Sequence, residues 1–166
     1  MPDSRMEIVC ITPCEVTASH KFYIRRPEDL AFKSLALRIK ERSRSLAQIY
    51  CKWQAGSQPV LKMPSAYMDI LGQVQLMTHQ AKWLPVKFRN KPSRHTRGGL
   101  VGTFIFEGPF IFFQDLMEAG TQLGIGKGCS NGFGRMSFRI LSLDGTNIVK
   151  DAKNLTVSRL SSGSNR

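Results

Sequence analysis

Residues 98–135 read GGLVGTFIFEGPFIFFQDLMEAGTQLGIGKGCSNGFGR, and they carry the strongest fold signals in the chain. The apolar run 99–106, with its β-branched and aromatic residues, predicts a strand, and Gly108-Pro109 predicts a break after it. A helical stripe follows at Phe112, Leu116, Ala119 and Leu123. Five glycines then fall within residues 124–134. The glycine-rich stretch therefore follows directly on a predicted helix.

The sequence upstream predicts a strand and a long helix. Residues 6–13 form an apolar, β-branched run that ends at a proline, which is typical of a strand. Pro27, with two acidic residues after it, predicts a helix start. An apolar face at helical spacing follows, formed by Phe32, Ala36, Ile39, Ser43, Leu46 and Tyr50. Basic residues fall mostly off this face, so the helix is predicted to have a basic outer surface.

Three further segments complete the order of elements. Residues 65–71 predict a short helical turn, residues 72–88 a strand that is interrupted or bent near its middle, and residues 133–143 the last strand. The main elements then run β, α, β, β, α, β, which is the ferredoxin-like arrangement of the α+β class. We expect residues 1–143 to form this single domain, with the glycine-rich loop before its last strand. The polar residues 144–166 are predicted to be a frayed tail.

The glycine-rich stretch allows two interpretations. One is a mobile connector in which Gly124 caps the preceding helix, but a cap accounts for one glycine only. The other is a binding loop, because bare backbone permits close approach and can present amide groups to an anion. Mononucleotide-binding loops run from strand to helix, which is the opposite order, so we favour the backbone of RNA or DNA as the ligand. The candidate contact residues are Gly124, Gly126, Lys127, Gly128, Ser130, Asn131, Gly132, Gly134 and Arg135.

The charge of the chain also favours a polyanionic partner. It contains 24 Lys and Arg against 12 Asp and Glu, a formal net charge of +12. Such a surface attracts nucleic acid first and anionic membrane second. A membrane is disfavoured, because no apolar run approaches the roughly 20 residues of a spanning helix and the N-terminal residues lack a secretory signal. The expected partner is therefore a nucleic acid.

The cysteines do not predict a metal site. The chain has four of them, and no two form a CxxC pair: Cys10, Cys14, Cys51 and Cys129. A disulfide framework is unusual in a chain of this size, so we interpret them as reduced thiols of a cytoplasmic protein. No metal and no cofactor are expected.

A second cationic segment lies in residues 87–97, KFRNKPSRHTR, which contain no acidic residue. Such a run is either a solvated loop or a set of phosphate contacts, and its place beside a glycine-rich turn favours the contacts. The candidate residues are Lys87, Arg89, Lys91, Arg94 and Arg97. Trp83, near this segment, has the ring needed to stack on an unpaired base, although most aromatic residues of the chain are expected in the core.

The run 98–135 resembles the closing region of the CRISPR repeat-processing endoribonucleases of the RAMP group. That family shows a strand, a helix and then a loop of the form GxGKxxxxGFG before its last strand. The matching residues here are Gly124, Gly126, Lys127, Gly132, Phe133 and Gly134. Residues 11–16, ITPCEV, and the following helix with Arg38 and Arg42 are similar to the start of the family's second domain.

The resemblance implies a ferredoxin-like domain that binds the repeat of precursor CRISPR RNA. Members of the family cut this RNA without metal: the 2′-hydroxyl attacks the adjacent phosphate and leaves a cyclic phosphate and a free 5′-hydroxyl. This chemistry needs a general base, a proton donor and cations that stabilise the developing charge. Full-length members contain two tandem ferredoxin-like domains, and this chain corresponds to the second. The implied partners are the repeat RNA, a second ferredoxin-like domain or subunit, and a CRISPR effector complex.

Two histidines are candidates for the general base, namely His20 in SHKFYIRR and His95 in the cationic segment. Each is also compatible with a solvated loop histidine, and His79, in a predicted strand, is interpreted as structural. A non-catalytic RNA-binding module that holds the RNA for a separate catalytic partner is the alternative from another class. A ribosomal or regulatory RNA binder with the same fold is a more distant third.

Overall fold

Four strands and three helices make up the computed structural model, which describes residues 4–18, 22–50, 65–86 and 97–141. In chain order they are β1 (Ser4–Cys14), α1 (Phe32–Tyr50), α2 (Ser65–Gln73), β2 (Gln75–Val86), β3 (Arg97–Gly108), α3 (Gln114–Leu123) and β4 (Met136–Leu141). Short 3₁₀ turns occur at Pro27–Asp29, Phe110–Phe112 and Cys129–Asn131. The predicted tail, 144–166, lies outside the described residues.

The strands form one antiparallel sheet in the order β2-β3-β1-β4. This order, with the helices in the connections, confirms the predicted ferredoxin-like α+β fold. The central strand β1 pairs with β3 on one side and with β4 on the other, where Arg5 lies opposite Leu141 and Cys10 opposite Met136. The start of β1 and the end of β4 are therefore neighbours in the sheet.

The core lies between one face of the sheet and the helices. Alternate residues of β1, Met6, Ile8 and Cys10, are buried, as the period of a strand requires. Phe32 of α1 packs edge-on against Phe106 of the sheet, with ring centroids 5.6 Å apart. Further core residues on the helices are Leu35, Ala36, Ile39, Leu116, Met117 and Gly120.

The opposite face of the sheet carries ion pairs between neighbouring strands. Arg5 of β1 pairs with Glu107 of β3 at 3.0 Å, and Glu7 of β1 pairs with Arg139 of β4. No helix within the described ranges is long and apolar enough to cross a membrane.

Several boundaries differ from the predictions. Pro27 begins a 3₁₀ turn, and α1 itself begins at Phe32. Within the range predicted as a strand, residues 72–88, Gly72 and Gln73 belong to α2 and Gln75–Val86 form a continuous β2. The only register shift of β2 against β3 falls near its start, between Leu76 and Thr78. The last strand begins at Met136 rather than at residue 133, because the residues before it belong to the glycine-rich loop.

The C-terminal half of α1 is less buried than its predicted apolar face implies. The buried residues of this helix end at Ile39, whereas Ser43 and Leu46 are half-buried and Tyr50 is 78% exposed. The helical spacing was predicted correctly, but the second half of the stripe does not enter the core.

Candidate nucleic-acid interface

The glycine loop, residues 124–135, follows α3 in a backbone conformation that suits glycine. Gly126 and Gly134 have φ values of +82° and +74°, in the left-handed region. A Cβ atom added at Gly126 would lie 2.3 Å from the carbonyl oxygen of Glu15. One added at Gly134 would lie 2.1 Å from the carbonyl oxygen of Ile125. Both positions therefore need glycine for the close contact as well as for the backbone angle.

Hydrogen bonds hold the glycine loop against the end of β1. The Ile125 amide donates to the Gly134 carbonyl at 2.8 Å and so closes the loop on itself. The Gly134 amide donates to the Pro13 carbonyl at 3.0 Å, and the Lys127 amide donates to the Glu15 carbonyl at 3.2 Å. These bonds make the segment a folded loop and not a loose connector.

Many backbone amides of the glycine loop, which the sequence suggested could bind a phosphate, already donate hydrogen bonds within the protein. The loop amides that donate to protein oxygen atoms are those of Gly124, Ile125, Lys127, Asn131, Gly132, Phe133, Gly134 and Arg135. A phosphate cannot bind these groups unless the loop opens. The loop instead offers an exposed tip at Ser130, Asn131 and Gly132, where an added Cβ at Gly132 would meet nothing within 4 Å. Close approach of a ligand backbone is therefore possible at the tip.

Two exposed cations belong to the glycine loop. The Lys127 ammonium lies 3.5 Å from the Tyr23 hydroxyl and 5.3 Å from the centroid of its ring. Arg135 is exposed, and its backbone is fixed because its carbonyl accepts the Ile11 amide at 2.8 Å. Its amide donates to the Thr12 hydroxyl at 2.9 Å. The loop thus presents positive charge at both its ends.

A buried carboxylate connects this region to β3. Glu15, which is 4% exposed, accepts a hydrogen bond from the Arg97 guanidinium at 2.9 Å, whereas the Arg97 side chain is 39% exposed. The same Glu15 accepts the Lys127 amide through its carbonyl oxygen. Glu15 therefore joins the end of β1, the start of β3 and the glycine loop, and it orients one cation of the predicted phosphate-binding set.

Two thiols near the loop, those of Cys14 and Cys129, are kept protonated. Hydrogen bonding with Cys10 and burial raise the pKa of Cys14 far above its ordinary value. Loss of solvation raises the pKa of Cys129, whose thiol donates to the Gly126 carbonyl at 3.3 Å, although the nearby Arg42 charge acts in the opposite direction. Cys10, Cys14 and Cys129 are free thiols, and Cys51 lies outside the described residues. Protonated thiols are poor nucleophiles, so Cys14 and Cys129 have the character of packing residues.

Several predicted site residues lie outside the described residues. They are His20, Lys87, Arg89, Lys91, Arg94 and His95. His79 lies on β2, is half-buried, and has its ring 6.1 Å from that of Phe104, which agrees with a structural role. Across residues 4–18, 22–50, 65–86 and 97–141, no group of three or more His, Cys, Asp or Glu side chains is arranged to hold a metal ion.

Sequence reasoning missed Glu15 and Tyr23, which both contact the glycine loop. The signal for Tyr23 was present as an aromatic residue among cations in residues 20–26, HKFYIRR. Glu15 gave no local signal, because an acidic residue after a strand is usually solvated. Its role depends on the pairing of distant segments.

Comparison with known proteins identifies the family. A sequence model of the family described as CRISPR-associated endoribonuclease Cas6 matches residues 8–136. No curated protein matches the chain at a significant level. Among solved structures, a Cas6 product complex matches with a TM-score of 0.57 at 16% identity, over 81% of this chain and 50% of that chain. A Thermus thermophilus Cas6 matches with a TM-score of 0.52 at 14% identity, over 81% and 52%.

A third structure, described as a partial Cas6-RT-Cas1–Cas2 complex, matches with a TM-score of 0.60 at 15% identity, over 89% of this chain and 24% of that chain. At these identities the structural matches support the fold. The chain spans 50% and 52% of the length of the two Cas6 proteins above. The family match covers the region from β1 to the end of the glycine loop and confirms the resemblance that the motif indicated. The chain belongs to the CRISPR-associated endoribonuclease Cas6 family.

Proposed function

We propose that this chain binds the repeat of precursor CRISPR RNA and acts in its cleavage by a metal-independent endoribonuclease reaction. Residues 1–143 would serve as the equivalent of the second ferredoxin-like domain of a full-length Cas6 protein. The observation that carries the proposal is the family's glycine loop, folded against β1 with exposed Lys127 at its start and Arg135 at its end.

The proposed RNA contacts are electrostatic and lie along the glycine loop. Lys127, Arg97 and Arg135 supply positive charge near its backbone, and the exposed tip at residues 130–132 allows a phosphodiester strand to approach closely. Charge-assisted contacts of this kind fix the position of an RNA strand but do not by themselves read its sequence. We propose that Lys87, Arg89, Lys91 and Arg94 extend this surface.

The proposed chemistry is transesterification within the RNA. A general base removes the proton of the 2′-hydroxyl, the oxygen attacks the adjacent phosphorus, and the 5′-oxygen leaves with a proton from a general acid. His20 and His95 remain the candidates for proton transfer, and neighbouring cations would stabilise the charge that develops on the phosphate. No step of this reaction requires a metal ion.

A non-catalytic role is the second candidate function. The chain spans about half of the Cas6 proteins that it matches, at 50% and 52%. Within the described ranges the only histidine is His79, whose ring packs near Phe104 on the sheet. In this alternative the chain holds repeat RNA while a second ferredoxin-like domain or subunit, or a CRISPR effector complex, supplies the base. Either role would place the protein with its RNA in the cytoplasm.

The test uses the purified full chain in EDTA. It is incubated with an end-labelled CRISPR repeat RNA from its own genome, and with a copy that carries a single 2′-deoxy substitution at the cut position. Cleavage of the first RNA but not of the second, with a cyclic phosphate product, is the result expected from the catalytic proposal. His20→Ala and His95→Ala variants then identify the base, with His79→Ala as the control.

Two other outcomes have distinct meanings. Tight, salt-sensitive binding of the repeat RNA without cleavage would support the RNA-holding role and would contradict catalysis by this chain alone. Absence of binding to any repeat RNA at low salt, by a protein that is folded according to circular dichroism, would contradict both candidate functions.

A further inference from the structure

Residues 22–26 pass beside the end of β1 in a fixed position. The Ile24 amide donates to the Val16 carbonyl at 2.9 Å, and the Ala18 amide donates to the Phe22 carbonyl at 2.9 Å. Val16 and Ile24 are both buried, at 0% and 4% exposure. The core therefore anchors this short segment, and the side chains that it directs outward have defined places.

Tyr23 and Arg25 flank the buried Ile24 and are both exposed. Because successive side chains of an extended segment alternate in direction, these two share the outer side. Tyr23 is 42% exposed and has the Lys127 ammonium 5.3 Å from its ring centroid. The Arg25 guanidinium lies 5.8 Å from the ring centroid of Trp83. Both distances are within the range of cation–π interaction.

The next residue, Arg26, provides a contrast. Its guanidinium donates to both carboxylate oxygens of Asp29, at 2.8 and 3.1 Å, and lies 4.0 Å from Glu28. Arg26 is thus neutralised by acidic neighbours, whereas the described contact of Arg25 is with an aromatic ring. Among the described contacts, the Arg25 guanidinium meets an aromatic ring and no carboxylate, unlike that of Arg26.

An unpaired nucleotide has the chemistry that fits this surface. Bases of single-stranded RNA stack on aromatic rings and on guanidinium planes, and their phosphates bind cations. Tyr23 and Arg25 are two residues apart, about 7 Å along an extended chain. This spacing is close to one nucleotide step of an extended RNA strand. Each of the two aromatic–cation pairs can therefore serve one nucleotide.

We propose that Tyr23 with Lys127, and Arg25 with Trp83, form a stacking track for two consecutive unpaired nucleotides of the bound RNA. One base stacks on the Tyr23 ring while its phosphate binds Lys127. The neighbouring base stacks on the Arg25 guanidinium, which Trp83 supports from the protein side. The proposal rests on the proposed RNA-binding function and adds to it a site for single-stranded RNA next to the glycine loop.

The test measures where and how strongly the RNA stacks. The probes are copies of the repeat RNA in which 2-aminopurine replaces one nucleotide at a time, bound to the full chain. We expect quenching of fluorescence at two adjacent positions, and its loss at one of them in Tyr23→Ala. Tyr23→Ala should weaken RNA binding roughly tenfold, whereas Tyr23→Phe should retain most of the affinity, because stacking needs the ring and not the hydroxyl.

Matched variants separate stacking from general effects. Tyr50→Ala removes a tyrosine that is 78% exposed at the end of α1, and it should change affinity less than twofold. Arg26→Gln removes the same charge as Arg25→Gln, one residue away, and should have the smaller effect. An abasic site at the nucleotide that contacts Tyr23 should weaken binding to the unaltered protein but cause no further loss in Tyr23→Ala.

The failure of this proposal is distinguishable from failure of RNA binding itself. If the chain binds repeat RNA with strong salt dependence but no position shows quenching, the stacking track is wrong and the proposed function stands. The quenching scan uses the unaltered protein, so this result does not depend on whether a variant folds. If Tyr23→Ala is folded and binds as tightly as the unaltered chain, the track is also wrong. If no repeat RNA binds, both proposals are wrong.

Discussion

Gly126 and Gly132 have nearly the same backbone conformation in different surroundings. Their φ values are +82° and +81°. An added Cβ would lie 2.3 Å from the Glu15 carbonyl oxygen at Gly126, and it would meet nothing within 4 Å at Gly132. The pair therefore separates the cost of a left-handed backbone from the cost of close packing against β1.

We expect Gly132→Ala to lower the free energy of unfolding by about 1 to 2 kcal/mol, because the left-handed backbone alone is strained. Gly126→Ala should cost about 3 kcal/mol or more, since the loop or the end of β1 must also move. Urea denaturation followed by circular dichroism measures both values. Equal losses would contradict the close-contact argument.

The buried carboxylate of Glu15 leads to a second prediction at this scale. Glu15→Gln removes the buried negative charge that accepts the Arg97 hydrogen bond and should lower the free energy of unfolding by about 2 kcal/mol. Glu107→Gln is the control, because it removes the same charge from the more exposed pair with Arg5, and it should cost less than about 1 kcal/mol. Thermal denaturation of both variants at the same pH checks the difference. A larger loss in the control would show that burial does not determine how much each ion pair contributes to the free energy of unfolding.

At the scale of elements, α1 and α3 cross at Gly120, a residue without a side chain. A Cβ added at Gly120 of α3 would lie 2.7 Å from the Ile39 Cδ1 atom and 3.2 Å from the Met136 sulfur. The absence of a side chain at this position allows the two helices and β4 to pack closely. Gly72 in α2 has nothing within 4 Å of an added Cβ.

We expect Gly120→Val to overpack this crossing and to lower the free energy of unfolding by about 2 to 3 kcal/mol. Ile39→Ala should cost less in combination with Gly120→Val than it does alone, because it removes the atoms nearest the new side chain. Gly72→Ala should raise stability by up to about 1 kcal/mol, since alanine is the better helix former in open space. Urea denaturation of the unaltered chain, the three single variants and the double variant gives the comparison, and additive losses in the double variant would contradict direct contact.

Apolar periodicity predicted the order of the elements correctly, but it did not predict which part of each apolar stripe packs in the core. The stripe on α1 was extended to Tyr50, although α1 has 19 residues and α3 has only 10, so α3 cannot cover its whole length. The glycine loop was found because its residues are adjacent in sequence. Tyr23 was not identified as part of the site, because its contact with Lys127 joins residues 104 positions apart. Local patterns predict local structure, and contacts between distant segments need the fold.

At the scale of the whole molecule, the net charge of +12 predicts general attraction to RNA. The proposed contact at the glycine loop predicts in addition that loss of a loop cation weakens RNA binding more than loss of a distant one. Lys127→Ala should weaken binding of single-stranded repeat RNA and reduce the slope of log affinity against log salt by about 0.7. Arg5→Gln lowers the net charge equally at the opposite end of β1, so its salt slope should stay unchanged. Fluorescence anisotropy titrations at several salt concentrations measure both slopes. Equal changes would mean that total charge, and not the loop, governs binding.

The neighbouring positions of Arg5 and Leu141 have a consequence for chain connectivity. Polypeptide joined ahead of β1 or behind β4 departs from the same corner of the domain, and the glycine loop lies at the other end of β1. A domain joined directly ahead of Ser4 or behind Leu141 would therefore be attached at the end of the sheet remote from the glycine loop. For the same reason a short linker can join the start of β1 to the end of β4, with new termini opened elsewhere. Such a circular permutant retains every strand pairing of the sheet.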